Sequence, residues 1–167
     1  MTLGTIKWAI GAGLLMLVAC ASQEGPPEPK AVPMVLTTDR QLNPHADGSS
    51  QSVDVLILYL SSPRKFEAVQ LSALYPGVNK PVESLGADLV DSQLVRVVPG
   101  DEQIMELQVD PQVRYIGIVV AFEQFQVAKW RGLVTLRDES ALDKVLFRDK
   151  KVLVTINNLE VVASLET

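Results

Sequence analysis

The stretch Met105-Glu106-Leu107-Gln108-Val109-Asp110 decides the fold class, because apolar and polar side chains alternate along it. A period of two residues is typical of a β-strand with one buried face and one solvent-exposed face. Residues 130–137 repeat the pattern, with Trp130, Val134 and Leu136 on one face and polar side chains opposite. The sequence therefore predicts a mainly β domain.

Other segments are apolar on both faces, which is typical of central strands covered on two sides. These segments are Val53–Leu60, residues 116–122 and residues 152–156. Residues 34–38 and 94–98 are two further strands, and turn signals at Pro99-Gly100-Asp101 and Asp110-Pro111 separate neighbouring strands. About seven short strands with turns between them predict a two-sheet β-sandwich.

One segment between the second and third strands has a helical pattern instead. Ser62-Pro63 is a plausible helix start, and Pro76-Gly77 is a stop signal. The apolar residues between them that follow helical spacing are Phe66, Val69, Leu71, Ala73, Leu74 and Tyr75. A second short helix is predicted from Pro81, with Val82, Leu85 and Leu89 on its apolar side. The sandwich therefore has a short helical insertion.

The N-terminus has the layout of a secretory signal peptide. Lys7 precedes an uncharged apolar run that ends in Leu17-Val18-Ala19-Cys20. The run is shorter than the roughly 20 residues that a membrane-spanning helix needs. Its end resembles the lipobox of bacterial lipoproteins, in which the cysteine becomes the lipidated N-terminus. The alternative is an ordinary cleaved signal followed by an incidental cysteine. We predict a signal peptide over residues 1–19 and lipidation of Cys20, the only cysteine.

The residues after Cys20 predict how the domain is anchored. Lipoproteins that stay at the inner membrane commonly carry aspartate after the cysteine, whereas this chain has Ala21. The resemblance to lipoproteins therefore implies an outer-membrane anchor that faces the periplasm. Residues 21–33, ASQEGPPEPKAVP, are rich in proline and almost without apolar side chains. We predict that residues 20–33 form the lipidated cysteine and a flexible tether, and that residues 34–167 form the β-sandwich domain.

Charge and composition argue against several functional classes. The net charge of −5 offers no basic surface for nucleic acid. His45 is the only histidine, so neither a metal site nor a histidine-based catalytic centre is expected. His45, Asp47 and Ser49 are neighbours in sequence, whereas catalytic triads assemble from separate elements. The chain is predicted not to be an enzyme and to bind no cofactor.

A binding surface is predicted instead in the polar loop of residues 39–52, between the first and second strands. The loop is long for a tight sandwich and contains Asn-Pro and Asp-Gly turn signals. Long loops on rigid scaffolds commonly carry recognition, although a merely flexible loop is the alternative. Trp130 is a second interface candidate, but its position on an alternating strand favours the core.

Several motifs occur in an order that points to one family. They are the lipobox ending at Cys20, Leu42-Asn43-Pro44 after the first strand, Tyr59-Leu60 at the end of the second, Phe66 and Ala68 in the helical insertion, Pro99-Gly100 before an alternating strand, YIGIVVAF at 115–122, Trp130-Arg131, and Asn157-Asn158 between the final pair of strands. With these motifs the chain resembles the TssJ (SciN) family, the outer-membrane lipoproteins of the type VI secretion system. One departure is Glu123, where many relatives have a basic residue.

The resemblance implies a transthyretin-like β-sandwich and a structural role. Family members anchor the type VI membrane complex by binding the periplasmic domain of the inner-membrane protein TssM, and TssL completes that complex. The family's contact element is the loop between the first two strands. Carried over by position, its partner-binding residues are Leu42, Asn43, Pro44, His45, Ala46, Asp47, Gly48, Ser49 and Ser50.

Two alternatives stay open from the sequence. A small-molecule-binding periplasmic lipoprotein would need convergent polar groups on inward positions of the sandwich, where the strands carry mostly Val, Leu and Ile. A lipoprotein hydrolase would need a nucleophile and a base within reach of each other, and the single histidine makes it the weaker alternative.

Overall fold

The computed structural model describes residues 28–74, 81–136 and 150–167. The predicted signal peptide, Cys20 and residues 21–27 of the predicted tether lie outside the described residues. Within them, no helix is both long and apolar enough to cross a membrane.

The described chain forms eight strands and a few short helices. In chain order they are β1 (Lys30–Thr38), β2 (Val53–Leu60), α1 (Arg64–Ala68), α2 (Leu71–Leu74), α3 (Pro81–Leu85), a 3₁₀ turn (Gly86–Asp88), β3 (Leu89–Val97), β4 (Glu102–Val109), β5 (Tyr115–Val120), β6 (Arg131–Thr135), β7 (Lys151–Asn157) and β8 (Glu160–Glu166). The predicted mainly β fold is confirmed, and the helices lie between the second and third strands as predicted.

The strands form two four-stranded sheets that pack face to face. Sheet I has the order β4-β1-β7-β8 and sheet II the order β3-β2-β5-β6. All pairs are antiparallel except β1 with β7. Met34, Ile57 and Ile118 are fully buried and belong to the apolar cluster between the sheets. The alternating pattern of β4 places Leu107 and Val109 in this core, with Glu106 and Gln108 exposed on the opposite face.

Two predicted strand boundaries are corrected. β1 begins at Lys30 rather than residue 34, and Val32 is already buried in the core. Pro33 is accommodated because β7 pairs with β1 only from Met34 onwards, which leaves Pro33 with one strand neighbour. The tether prediction therefore fails for residues 30–33. β3 begins at Leu89 rather than residue 94, so Leu89 belongs to a strand and not to the second helix.

The outer faces of the two sheets differ. β2 and β5 are buried on both sides, as predicted, because the helical insertion covers sheet II. Residues 152–156 were also predicted to be covered on both sides, which is wrong. In β7 every second side chain, including Leu153 and Thr155, is partly exposed on the outer face of sheet I. Apolar content alone did not distinguish strands that are covered on both faces from a strand that is covered on one face.

The helical insertion is held on sheet II by apolar packing and by hydrogen bonds from one arginine. Phe66 of α1 is buried against Gly117 of β5, where an added Cβ would lie 3.1 Å from the ring. Helix α1 ends early because Val69 is extended. Arg131 donates hydrogen bonds to the carbonyl oxygens of Phe66 and Glu67 at 3.0 and 2.7 Å, which satisfies carbonyls at the end of this helix. Trp130 is partly buried and packs on the core, as its strand position predicted.

Candidate partner-binding site

The β1–β2 loop (residues 39–52) is fixed to the sandwich at its base. Leu42 is fully buried and Asn43 is only 5% exposed. The Asn43 backbone N–H donates to the carbonyl of Asn158 in the β7–β8 turn at 2.9 Å, and Gln51 N–H closes the loop on the Leu42 carbonyl at 3.0 Å. Asn43 has φ of +47°, a left-handed conformation that asparagine tolerates better than most residues. The base of the loop is therefore part of the folded core.

The tip of the loop is ordered by its own hydrogen bonds. His45 N–H donates to the Ser49 carbonyl at 2.8 Å, and Gly48 N–H donates to the His45 carbonyl at 2.9 Å. Gly48 adopts a φ of +83°, which only glycine reaches easily. The Asp47 carboxylate accepts hydrogen bonds from the Ser49 hydroxyl at 2.6 Å and from its N–H at 2.8 Å. These bonds from Ser49 lower the pKa of Asp47.

Glu123 lies in the β5–β6 loop (residues 121–130) and joins that loop to the β1–β2 loop. Its carboxylate lies 2.9 Å from Nδ1 of His45 and also accepts from the Gln51 amide at 3.3 Å. Its backbone N–H donates to Oδ1 of Asn43 at 2.9 Å. The hydrogen bond to Glu123 raises the pKa of His45, and the negative charges of Glu123 and Asp47 act in the same direction. Glu123, which departs from the family pattern, therefore connects the β1–β2 loop to the β5–β6 loop.

Gln124 adds a further connection, because its side-chain amide donates to the Pro44 carbonyl at 2.7 Å. Sequence reasoning missed Glu123 and Gln124 as parts of this site. They lie 78 and 80 positions after their partners, and no local pattern reports such a pairing. The departure at Glu123 was the one available signal.

The predicted partner-binding residues divide into two groups by exposure. The side chains of Leu42 and Asn43 are buried, so we assign them to holding the loop rather than to contacting a partner. Pro44 is half-buried. The exposed residues, which are the ones that a partner could reach, are His45, Ala46, Asp47, Gly48, Ser49 and Ser50.

An open cleft of about 280 Å³ lies beside the loop. It is lined by Asn43, Gln51, Ser52, Val53, Asp54, Arg96, Ala121 and Glu123. Arg96 binds both carboxylate oxygens of Asp54, at 2.7 and 2.9 Å, and this contact lowers the pKa of Asp54. The cleft is therefore polar, and the charge of its arginine is already paired.

In the β1–β2 loop, the side chains of His45 and Ser49 have different hydrogen-bond partners. His45 contacts Glu123, whereas the Ser49 hydroxyl donates to Asp47, so the histidine is not hydrogen-bonded to the serine hydroxyl as it would be in a triad. Within residues 28–74, 81–136 and 150–167, no three histidine, cysteine or acidic side chains cluster as a metal site. The tip of the β1–β2 loop is exposed and polar, and hydrogen bonds within the loop connect its residues.

Comparison with known proteins identifies the family. Residues 30–159 match the family model described as type VI secretion lipoprotein, VasD, EvfM, TssJ. A search of curated proteins gives no match.

Solved structures share the fold. The T6SS lipoprotein TssJ1 from Pseudomonas aeruginosa has a TM-score of 0.71 and 23% identity, over 83% of this chain and 98% of that chain. Lip from Serratia marcescens, described as a membrane-bound component of the type VI secretion system, has a TM-score of 0.67 and 21% identity over 81% and 96% of the two chains. A chain from a structure described as the T6SS protein TssM C-terminal domain (869–1107) from EAEC has a TM-score of 0.59 and 22% identity over 81% and 99%. As its motifs predicted, the chain belongs to the TssJ family of type VI secretion lipoproteins.

Proposed function

We propose that this chain is a structural adaptor, anchored in the outer membrane by lipid on Cys20, that docks the periplasmic domain of TssM through the exposed part of its β1–β2 loop. The observation that carries the proposal is the construction of that loop. Its tip is exposed, while its base is buried and its side is tied to Glu123 and Gln124. A pre-ordered loop loses little conformational entropy on binding, which favours affinity.

The mechanism is mechanical rather than catalytic. Lipid at Cys20 fixes one end of the chain at the membrane, and residues 21–29 serve as the spacer between the lipid and β1. The sandwich then presents its loop to a partner that is rooted in the inner membrane. Anchoring and assembly with other components of the type VI membrane complex raise the local concentration of both partners, so a modest contact is sufficient.

The packing between the two sheets favours the adaptor hypothesis over the hypothesis of a small-molecule-binding protein. The inward residues of both sheets form one apolar cluster, and the cleft described above opens at the surface beside the loop. A ligand site inside the sandwich would need space and convergent polar groups at these inward positions. The described inward positions are mostly Val, Leu and Ile, with few other side chains among them, such as Met34, Tyr59 and Phe122.

The test is a calorimetric titration of the full chain, purified in detergent, with the periplasmic domain of TssM from the same organism. The matched variant replaces residues 45–50 with a Gly-Ser linker and keeps Leu42 and Asn43, which the fold needs. We expect saturable binding by the wild-type chain and its loss in a loop variant that unfolds at the same temperature. Absence of binding by the folded wild-type chain would refute docking, and equal binding by both chains would exclude this loop.

A comparison with His45→Ala separates the adaptor from an enzyme. A hydrolase that used the only histidine would lose its activity on this substitution. An adaptor keeps most of its partner affinity, because Asn43 and Gln51 still attach the loop to Glu123 and the backbone hydrogen bonds of the tip remain. The measurement is the same titration, with esterase activity recorded in parallel.

A further inference from the structure

Two exposed apolar side chains lie on the β5–β6 loop, beside the β1–β2 loop. Phe125 is 45% exposed and Val127 is 74% exposed. Single exposed apolar residues are ordinary on protein surfaces. These two are separated by one residue, however, and they directly follow Gln124, whose side chain is bonded to Pro44. Phe125 and Val127, which we call the apolar patch, therefore lie in the chain next to the point where the β5–β6 loop contacts the β1–β2 loop.

The β5–β6 loop is held at both ends, so the patch has a defined position. At its start, Ala121 N–H donates to the Asp54 carbonyl at 2.9 Å, and Glu123 is bonded to the β1–β2 loop. At its end, Lys129 N–H donates to the Leu159 carbonyl at 2.9 Å. Between them, Val127 N–H donates to the Gln124 carbonyl at 3.2 Å, which places Phe125 at the tip of a turn.

We propose that Phe125 and Val127 are apolar anchors for the same protein partner that the β1–β2 loop contacts, and that they pack against an apolar patch on its periplasmic domain. This inference rests on the proposed function. An exposed aromatic and an exposed aliphatic side chain beside a polar loop match the usual anatomy of an interface, in which a few apolar anchors supply most of the affinity. The carboxylate of Glu123, two residues before Phe125, disfavours an anionic lipid surface as the occupant.

The test uses the full chain in detergent and the same TssM periplasmic domain. The double variant Phe125→Ser/Val127→Ser is compared with Leu94→Ser/Ile104→Ser, which removes two apolar side chains of similar exposure (53% and 74%) from β3 and β4. Loss of two anchors should weaken binding about tenfold or more, while the matched control should bind like the wild-type chain.

The outcomes distinguish this inference from the proposed function. If the Phe125→Ser/Val127→Ser variant binds normally while the 45–50 linker variant does not, the apolar anchors are refuted and docking through the β1–β2 loop stands. If the wild-type chain does not bind, both fail. If both double variants weaken binding equally, the effect is not specific to this patch and the inference is overturned.

Amide hydrogen exchange provides a second test that uses only the wild-type chain, so it does not depend on whether a variant folds. Addition of the partner to the wild-type chain should slow exchange at residues 125–128 and leave residues 102–105 unchanged. Slowing of residues 125–128 by phosphatidylethanolamine–phosphatidylglycerol vesicles, but not by the partner, would assign the patch to the membrane and overturn the proposal.

Discussion

The outer face of sheet II and the loop end of the sandwich are stabilised in different ways. We call the first the covered face: it is sheet II beneath α1, α2 and α3, where Leu58, Phe66 and Leu74 are almost completely buried. The loop end comprises the β1–β2 loop, the β5–β6 loop and the β7–β8 turn, and hydrogen bonds between exposed groups hold its surface together. Burial contributes far more to stability than exposed polar contacts do. The covered face should therefore determine stability, and the loop end should determine recognition.

The largest effect is expected from Phe66→Ala on the covered face. The side chain is 1% exposed, and its removal leaves a cavity between α1 and β5, so the free energy of unfolding should fall by about 3–5 kcal/mol. The measurement is urea unfolding followed by circular dichroism. At a temperature where the variant is folded, its affinity for the TssM domain should equal that of the wild-type chain.

The matched control for Phe66 is Ile104→Ala on the outer face of sheet I. Ile104 is 74% exposed, so its truncation should change the free energy of unfolding by less than about 0.5 kcal/mol. Similar losses for Phe66→Ala and Ile104→Ala would mean that the two outer faces do not differ as the structure indicates.

Gly117→Val tests how closely the helical insertion approaches β5. A Cβ at this position would lie 3.1 Å from the Phe66 ring and 3.2 Å from a methyl group of Leu60. The added side chain must displace these neighbours, so we expect a loss of about 1–3 kcal/mol in urea unfolding.

A double-mutant cycle identifies the cause of the Gly117→Val effect. Phe66→Leu removes part of the ring that the new side chain meets, so the double variant should be less destabilised than the sum of the single variants. Strict additivity would show that the strain at Gly117 arises elsewhere.

The covered face was largely predictable from the sequence, whereas the loop end was not. Covered strands were correctly predicted at Val53–Leu60 and residues 116–122. Both segments are apolar on both faces, because a strand that is buried on two sides needs apolar side chains on each side. The same rule failed at residues 152–156, since the pattern does not say which sheet the helices cover. The contacts of Glu123 and Gln124 with the β1–β2 loop join residues about 80 positions apart through single polar side chains. Such pairings leave no periodic signal.

At the loop end, the largest effect on stability is expected from Asn43→Ala. The substitution removes the acceptor of the Glu123 N–H and places alanine at a φ of +47°. We expect a loss of about 1–2 kcal/mol in urea unfolding, smaller than at Phe66. Asn43→Gly loses the same hydrogen bond but tolerates the backbone conformation, so it should be less destabilised.

The Asn43 variants also sharpen the distinction between the two regions. Both should weaken binding of the TssM domain, because the buried base of the loop loses its hydrogen bond from the Glu123 N–H. Phe66→Ala should not, although it costs more stability. A binding loss that followed stability across all three variants would contradict a separate recognition end.

The smallest effect concerns pH, and it tests the contact between His45 and Glu123 directly. The hydrogen bond to Glu123 raises the pKa of His45 above its ordinary value of 6.5. The stabilising contribution is therefore fully present below pH 6.5 and is lost as the pH rises through the folded-state pKa. Because His45 is the only histidine, an NMR titration of its imidazole reports this contact without overlap.

Two substitutions then separate the causes of the shift. Glu123→Gln should return the pKa of His45 most of the way towards 6.5, because it removes the charged partner. Asp47→Asn should lower the pKa less, because Asp47 makes the smaller contribution. A wild-type pKa at or below 6.5 would mean that Glu123 does not hold the loop in solution. The expected result is a raised pKa of His45 in the wild-type chain, together with a Glu123→Gln variant whose β1–β2 loop is more mobile but whose urea unfolding is unchanged. That result would mean that polar contacts order the recognition surface independently of the packing that stabilises the fold.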